Sequence, residues 1–186
     1  MLTLSRLGNA EQTINKSRFI AAAKRCDTER EVATLLRSMA TEYHNASHLA
    51  YAYRVKTPNG LVARFSDAGE PSGTAGKPIL QMLEARDLIN VGVGVIRYYG
   101  GINLGTGGLA RAYGGTAKEA LENGQILAFV EMQELQVNVD YKRLEELMRA
   151  VSQYHGVVLD KTFGESVLVK ISLPAQQSQA LLTRFS

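Results

Sequence analysis

The chain has 186 residues, of which 45% are apolar and 21% charged, the balance of an ordinary globular protein rather than a disordered or collagen-like one. A formal net charge of +3 falls short of a histone-like composition, and the single cysteine, Cys26, excludes both a disulfide framework and a CxxC zinc site. No apolar run approaches the roughly 18 residues of a membrane helix, and the N-terminus lacks a signal-peptide pattern, so a cytoplasmic protein without a membrane partner is expected.

Residues 17–25, SRFIAAAKR, predict a strand. DTEREVATLLRSMATEY (27–43) predicts an amphipathic helix, with Val32, Leu35, Leu36, Met39 and Tyr43 at helical spacing. Thr28 and Glu31 form a capping-box pattern at its start. HLAYAYRV alternates as a strand, TPNG (57–60) turns, and LVARF returns as the second arm of a hairpin. SDAGEPSGTAGKP (66–78) is a breaker-rich loop, long enough to be either functional or disordered. PILQMLEARDLIN (78–90) predicts a helix with Pro78 in its first turn. VGVGVIRYY is a continuous apolar run, suited to a strand buried on both faces. A helix from about Gly107 to Glu122 follows, ended by Asn123-Gly124.

ILAFVEMQE (126–134) reads as a junction between two domains, 1–129 and 130–186. Lys and Arg outnumber Asp and Glu by 15 to 11 in the first and trail by 6 to 7 in the second, so an anion-facing surface is expected in the first. Beyond the junction come a strand (135–139), a helix (141–154), two strands (157–161, 167–173) and a helix (176–184). Asp140 reads as an N-cap and Gly156 as a C′ residue. The order β-α-β-β-α is a ferredoxin-like split βαβ unit lacking its last strand, and the predicted fold class is α+β.

RYYGGINLGTGGLARAYGG (97–115) holds seven glycines, two arginines and three tyrosines. A strand, a glycine turn and a helix N-terminus aim free N–H groups at one spot, a ready anion site to which Arg97 and Arg111 can add charge. The other reading is packing, because Gly107, Gly108, Ala110, Ala112 and Gly114 let a helix approach a sheet; the two are compatible. GTGGLA also fits a dinucleotide fingerprint, but the acidic residue such a unit needs falls inside the helix. SGTAGKP imitates a phosphate loop and fails at Pro71 and Pro78, which leaves Lys77 as a point charge for a phosphate. His44 and His48 are four apart without sharing a helical face, so His48 reads as a hydrogen-bonded structural residue. Ser66 and Ser72 lack a nucleophile elbow. Tyr51, Tyr53, Tyr98 and Tyr99, near Arg54, Arg64 and Arg97, suit either the core or base stacking.

Taken together, KSRFIA (16–21), ASHLAYAY (46–53), FSDAGEPSGTAGKPIL (65–80) and VIRYYGGINLGTGGLARAY (95–113) resemble the IMPACT family, whose bacterial branch is often called the YigZ family. The resemblance implies a first domain similar to a ribosomal-protein fold and to domain IV of elongation factor G. It implies a ferredoxin-like second domain similar to domain V of that factor. Eukaryotic members regulate translation by competing for a ribosome-associated activator of an initiation-factor kinase. For bacterial members nucleic-acid or ribosome binding is the usual inference. This chain departs from the family in placing Ala68 where a second acidic residue often follows Asp67.

The expected function is therefore translation-linked regulation through RNA or a ribosome-associated partner. Arg97, Gly100, Gly101, Gly105, Gly107, Gly108, Arg111 and Lys77 would form the anion-accepting patch. The alternative is a small-molecule enzyme, with Asp67, Glu70 and His48 in acid–base roles beside the glycine nest, and Ser66 and Ser72 as further candidates in the same loop. A third reading, a protein-binding adaptor, calls for an exposed apolar patch. Neither a cofactor nor a metal is expected.

Overall fold

A computed structural model describes residues 1–186, and the chain divides into two units, Met1–Phe129 and Val130–Ser186. The first unit runs β1 (Leu2–Leu4), β2 (Gly8–Ile14), β3 (Ser17–Arg25), α1 (Glu29–Glu42), β4 (His48–Thr57), β5 (Gly60–Ser66), α2 (Gly76–Ala85), β6 (Val91–Tyr98), α3 (Gly105–Asn123) and β7 (Ile126–Ala128). Five of its strands form one antiparallel sheet in the order β2-β3-β6-β4-β5. The apolar run of β6 takes the central place, and α1 covers one face of the sheet while α2 and α3 cover the other.

Each face has its own core. Val32, Leu35 and Met39 of α1 pack on Ile20, Ala22, Val55 and Ile96. On the far face, Phe19, Ala21, Val93 and Val95 meet Ile79 and Leu83 of α2 and Tyr113, Ala117 and Leu121 of α3. Alternation along β3 sends Phe19, Ala21 and Ala23 to one core and Ile20 and Ala22 to the other. At the start of α1, the Glu31 N–H donates to Thr28 Oγ1 (3.1 Å) and the Asp27 N–H to Glu31 Oε2 (2.7 Å). Two orphan donors at the helix start are thereby satisfied. Cys26 is fully buried beside Val32, and burial, then the nearby Glu31, push its thiol up to about 11.

Three strands have no counterpart in the sequence reading. β2 is an edge strand whose polar residues alternate outward, and β1 and β7 are three residues each, paired with one another. The second helix also ends five residues earlier than expected, at Ala85. Asp87 and Asn90 adopt left-handed φ of 51° and 52°, and β1 captures the released chain. Leu2 N–H donates to Asp87 O and Ile89 N–H to Leu2 O, both at 2.8 Å.

The second unit runs β8 (Met132–Val139), α4 (Leu144–Gln153), β9 (Val157–Phe163), β10 (Val167–Pro174) and α5 (Ser178–Phe185). Its antiparallel sheet has the order β8-β10-β9. Val137, Val139, Val167, Val169, Ile171 and Leu173 pack there on Leu147, Val151, Leu181 and Phe185. Asp140 makes no side-chain cap, because a 3-10 turn over Tyr141–Arg143 precedes α4. The left-handed residue after α4 is His155 (φ 58°) rather than Gly156. Gly156 instead lies so close to β10 that a Cβ would stand 2.9 Å from Leu173 Cβ. No helix of the chain is long and apolar enough to cross a membrane.

Candidate functional site

Register decides where Arg97 goes. On β6 it stands opposite Phe19 of β3 and His48 of β4, and alternation turns it toward the α3 layer. There its Nη1 donates to Glu70 Oε1 at 2.7 Å, and Tyr113 Oη donates to the same oxygen at 2.7 Å. His48 Nε2 lies 3.6 Å from that oxygen. Arg97 Nε and Nη2 both reach Ser17 Oγ, at 3.4 and 3.3 Å, and Ser17 Oγ also accepts from the Gly100 N–H at 3.2 Å. Burial first, and then the bond to Glu70, push the Tyr113 phenol up, so it stays a donor.

Arg97 is 5% exposed and Glu70 9%. Arg97, expected in the anion-accepting patch, is instead turned inward, and its charge is spent on Glu70 inside the fold. The pair ties the 66–78 loop to β6 and α3. Taking one partner away would strand a buried charge, at a cost of about 3–5 kcal/mol. Ser17 and Tyr113 complete the cluster, and no motif in the sequence singles out either of them. A serine at a hairpin and a tyrosine in a small-residue helix face both read as ordinary scaffold.

The phosphate-loop lookalike holds an anion of its own. The Asp67 carboxylate accepts the N–H groups of Gly73 (2.9 Å), Ala75 (3.1 Å) and Lys77 (3.3 Å), and so occupies the N-terminus of α2. Burial raises the Asp67 carboxyl, but the N–H donors of Gly73, Ala75, Lys77 and Gly76 outweigh it and hold the group below its ordinary value. Around it, Ser66 Oγ accepts from the Ala68 N–H (3.1 Å), and Thr74 Oγ1 donates to Pro71 O (2.5 Å). His48 Nδ1 lies 2.7 Å from Ala68 O, a structural role for that ring. Ala68 itself has a left-handed φ of 51°, an uncommon conformation for alanine.

The glycine stretch divides by position. Gly100 is architecture: a Cβ there would stand 2.1 Å from the Lys16 carbonyl carbon and oxygen. Gly101 and Gly105 have φ of +86° and +73° and open space where a Cβ would be. Leu104 precedes α3 without any side-chain cap, so the first N–H groups of that helix have no side-chain acceptor. Gly105, Thr106 and Gly107 are exposed there. Gly107 leaves room for the Arg111 guanidinium, whose Nη1 lies 3.2 Å from the position a Cβ would take. Gly108 packs against Leu104.

The remaining candidates disperse. Ser72 is exposed in the loop before α2, and Lys77 is exposed in the first turn of that helix. The groove beside His48, about 240 Å³, is lined by Tyr43, His44, Ser47, His48, Ala68 and Ile96 among others, and includes neither Asp67 nor Glu70. Of the three acid–base candidates, Glu70 is held by Arg97 and Tyr113 beside His48, and Asp67 is held by the backbone at the start of α2.

The fold and these loops define a two-unit α+β protein, its first unit built on a buried arginine–glutamate pair beneath a glycine-rich helix start. Residues 15–121 match the Impact N-terminal domain family. The chain is similar to the IMPACT family member YigZ of Escherichia coli, 34% identical over 165 residues, covering 88% of this chain and 81% of that one. It is likewise similar to the IMPACT family member YvyE of Bacillus subtilis, 33% identical and covering 96% and 82%. A solved structure described as a hypothetical protein is 31% identical, covers 98% of this chain and 89% of that one, and superposes with a TM-score of 0.71. This chain belongs to the IMPACT family.

Proposed function

We propose that the protein acts in translation-linked regulation by binding RNA, with the start of α3 as its anion-accepting face. The resemblance to a family with translational regulators supplies the process. The observation that carries the site is the uncapped first turn of α3, with Gly101 and Gly105 open to solvent and Arg111 folded over Gly107. Backbone N–H groups at a helix start take phosphate well, and a guanidinium beside them adds a fork of donors. Lys77 supplies a further exposed charge, whereas Arg97 supports the face from beneath.

The test is RNA affinity against salt, with melting temperature beside it. Arg111→Ala should leave the fold intact and flatten the log–log salt slope by about one unit. Lys77→Ala should act in the same direction. Unchanged affinity and slope in both folded variants would remove the face from consideration. Co-purification with ribosome-associated proteins but no RNA affinity would move the function to a protein partner.

A further inference from the structure

We propose that Tyr99 is a stacking platform for an unpaired nucleobase, so that the RNA bound at this face is single-stranded. The inference rests on the RNA reading above and narrows it to a substrate class.

Tyr99 follows the last residue of β6 and is 49% exposed. It is nonetheless held at several points. Its N–H donates to Ser47 Oγ (3.0 Å) and its hydroxyl to Asn103 Oδ1 (3.1 Å). The Arg97 guanidinium carbon lies 5.2 Å from the ring centroid. That guanidinium also lies 5.7 Å from the centroid of Phe19, and Phe19 meets Tyr113 edge-to-face at 5.2 Å. A column Tyr113–Phe19–Arg97–Tyr99 thus starts in the core and ends at the surface. The buried guanidinium takes one face of the last ring, and the other face has no aromatic or cationic partner in the protein.

A ring fixed in this way has already lost its rotamer freedom, so a ligand that stacks on it pays little further ordering cost. Nucleobases suit such a ring because each offers a π face whatever its identity. Bases within a duplex are stacked on one another and offer none. The placement agrees with the phosphate site. Asn103, which anchors the hydroxyl, lies two residues before Gly105, where α3 begins. A base on Tyr99 sets its own backbone beside the uncapped turn.

The experiment measures binding of a short oligouridylate and of a fully paired RNA duplex of equal charge to the intact protein, across a salt series. Tyr99→Ala should weaken oligouridylate binding by roughly five- to hundredfold. It should leave the duplex affinity and the salt slope unchanged, and lower the melting temperature only by the loss of the Asn103 and Arg97 contacts. Tyr99→Phe should retain most of the affinity, and Tyr99→Leu, which keeps bulk without a π face, should lose as much as the alanine variant. The inference is overturned, with the RNA reading left standing, if Tyr99→Ala binds oligouridylate like the wild type or loses both RNAs equally. It is also overturned if Tyr99→Leu binds normally. Failure of the wild type to bind either RNA overturns the proposed function together with it.

Discussion

The first unit contains two helix starts with opposite fates. The N-terminus of α2 is filled from within, by the carboxylate of Asp67, nine residues before the helix begins. The N-terminus of α3 is left bare, with Leu104, which offers no side-chain acceptor, where a cap would stand. Both offer the same backbone donors. The difference shows that a phosphate-like loop is an anion site only if the chain has not already supplied the anion. Of the two, the stretch that looks more like a nucleotide loop is the one already occupied.

The sharpest way to break this comparison is to remove what holds the two loops together. Glu70→Ala should lower unfolding free energy by about 3–5 kcal/mol, because Arg97 is left buried and unpaired; urea denaturation reads this directly. A loss under about 1 kcal/mol would mean that the pair is not the brace between the loop and β6.

Gly100→Ala should cost about 1–3 kcal/mol, since the new Cβ meets the backbone of Lys16. Gly101→Ala meets no neighbour and carries only the penalty of a left-handed φ, about 1 kcal/mol. Thermal melts of the two variants separate architecture from conformation within one dipeptide.

Asp67→Asn tests the filled helix start. Stability at neutral pH should fall by about 1–2 kcal/mol, the loss of a charged cap. The carboxyl is held below its ordinary value in the folded protein, so its contribution is complete above the unfolded value near about pH 4. It disappears as pH falls through the lower folded value. The gap between wild type and variant should therefore be flat at neutral pH and close in acid. A gap that widens on acidification would contradict the assignment.

The smallest stability effect belongs to Thr106→Asp, which gives α3 a negative charge of its own in its first turn. Stability should rise by about 0.3–1 kcal/mol. RNA affinity should drop, since the variant turns the bare start into a copy of the filled one.

Much of this scaffold is legible in the sequence, for identifiable reasons. The capping box at Thr28 and Glu31, the hairpin around TPNG and the apolar run of β6 are local signals, and each forms near its predicted bounds. β2 is missed because an edge strand with outward Glu11 and Thr13 carries little apolar signal. The site is less legible because its contacts are distant in sequence. Arg97 meets Glu70 from 27 residues away and Ser17 from 80. Only the β3–β6 and β4–β6 registers and the packing of α3 bring these groups together, and none of these is written in local spacing. The stretch 66–78 is recognisable as a special loop, but that Asp67 fills it depends on three backbone donors whose directions no residue type announces.

Cys26 gives the molecule a built-in clock. The protein has one thiol, fully buried beneath α1 and held at about 11. At neutral pH it reacts with a thiol reagent only after α1 lifts from the sheet, because the thiolate is the reacting form and needs access. The labelling rate therefore times openings of the α1 layer, while motion confined to the α3 layer leaves it silent. Followed with and without RNA, this one rate reports whether a ligand at the α3 start steadies the opposite face of the sheet.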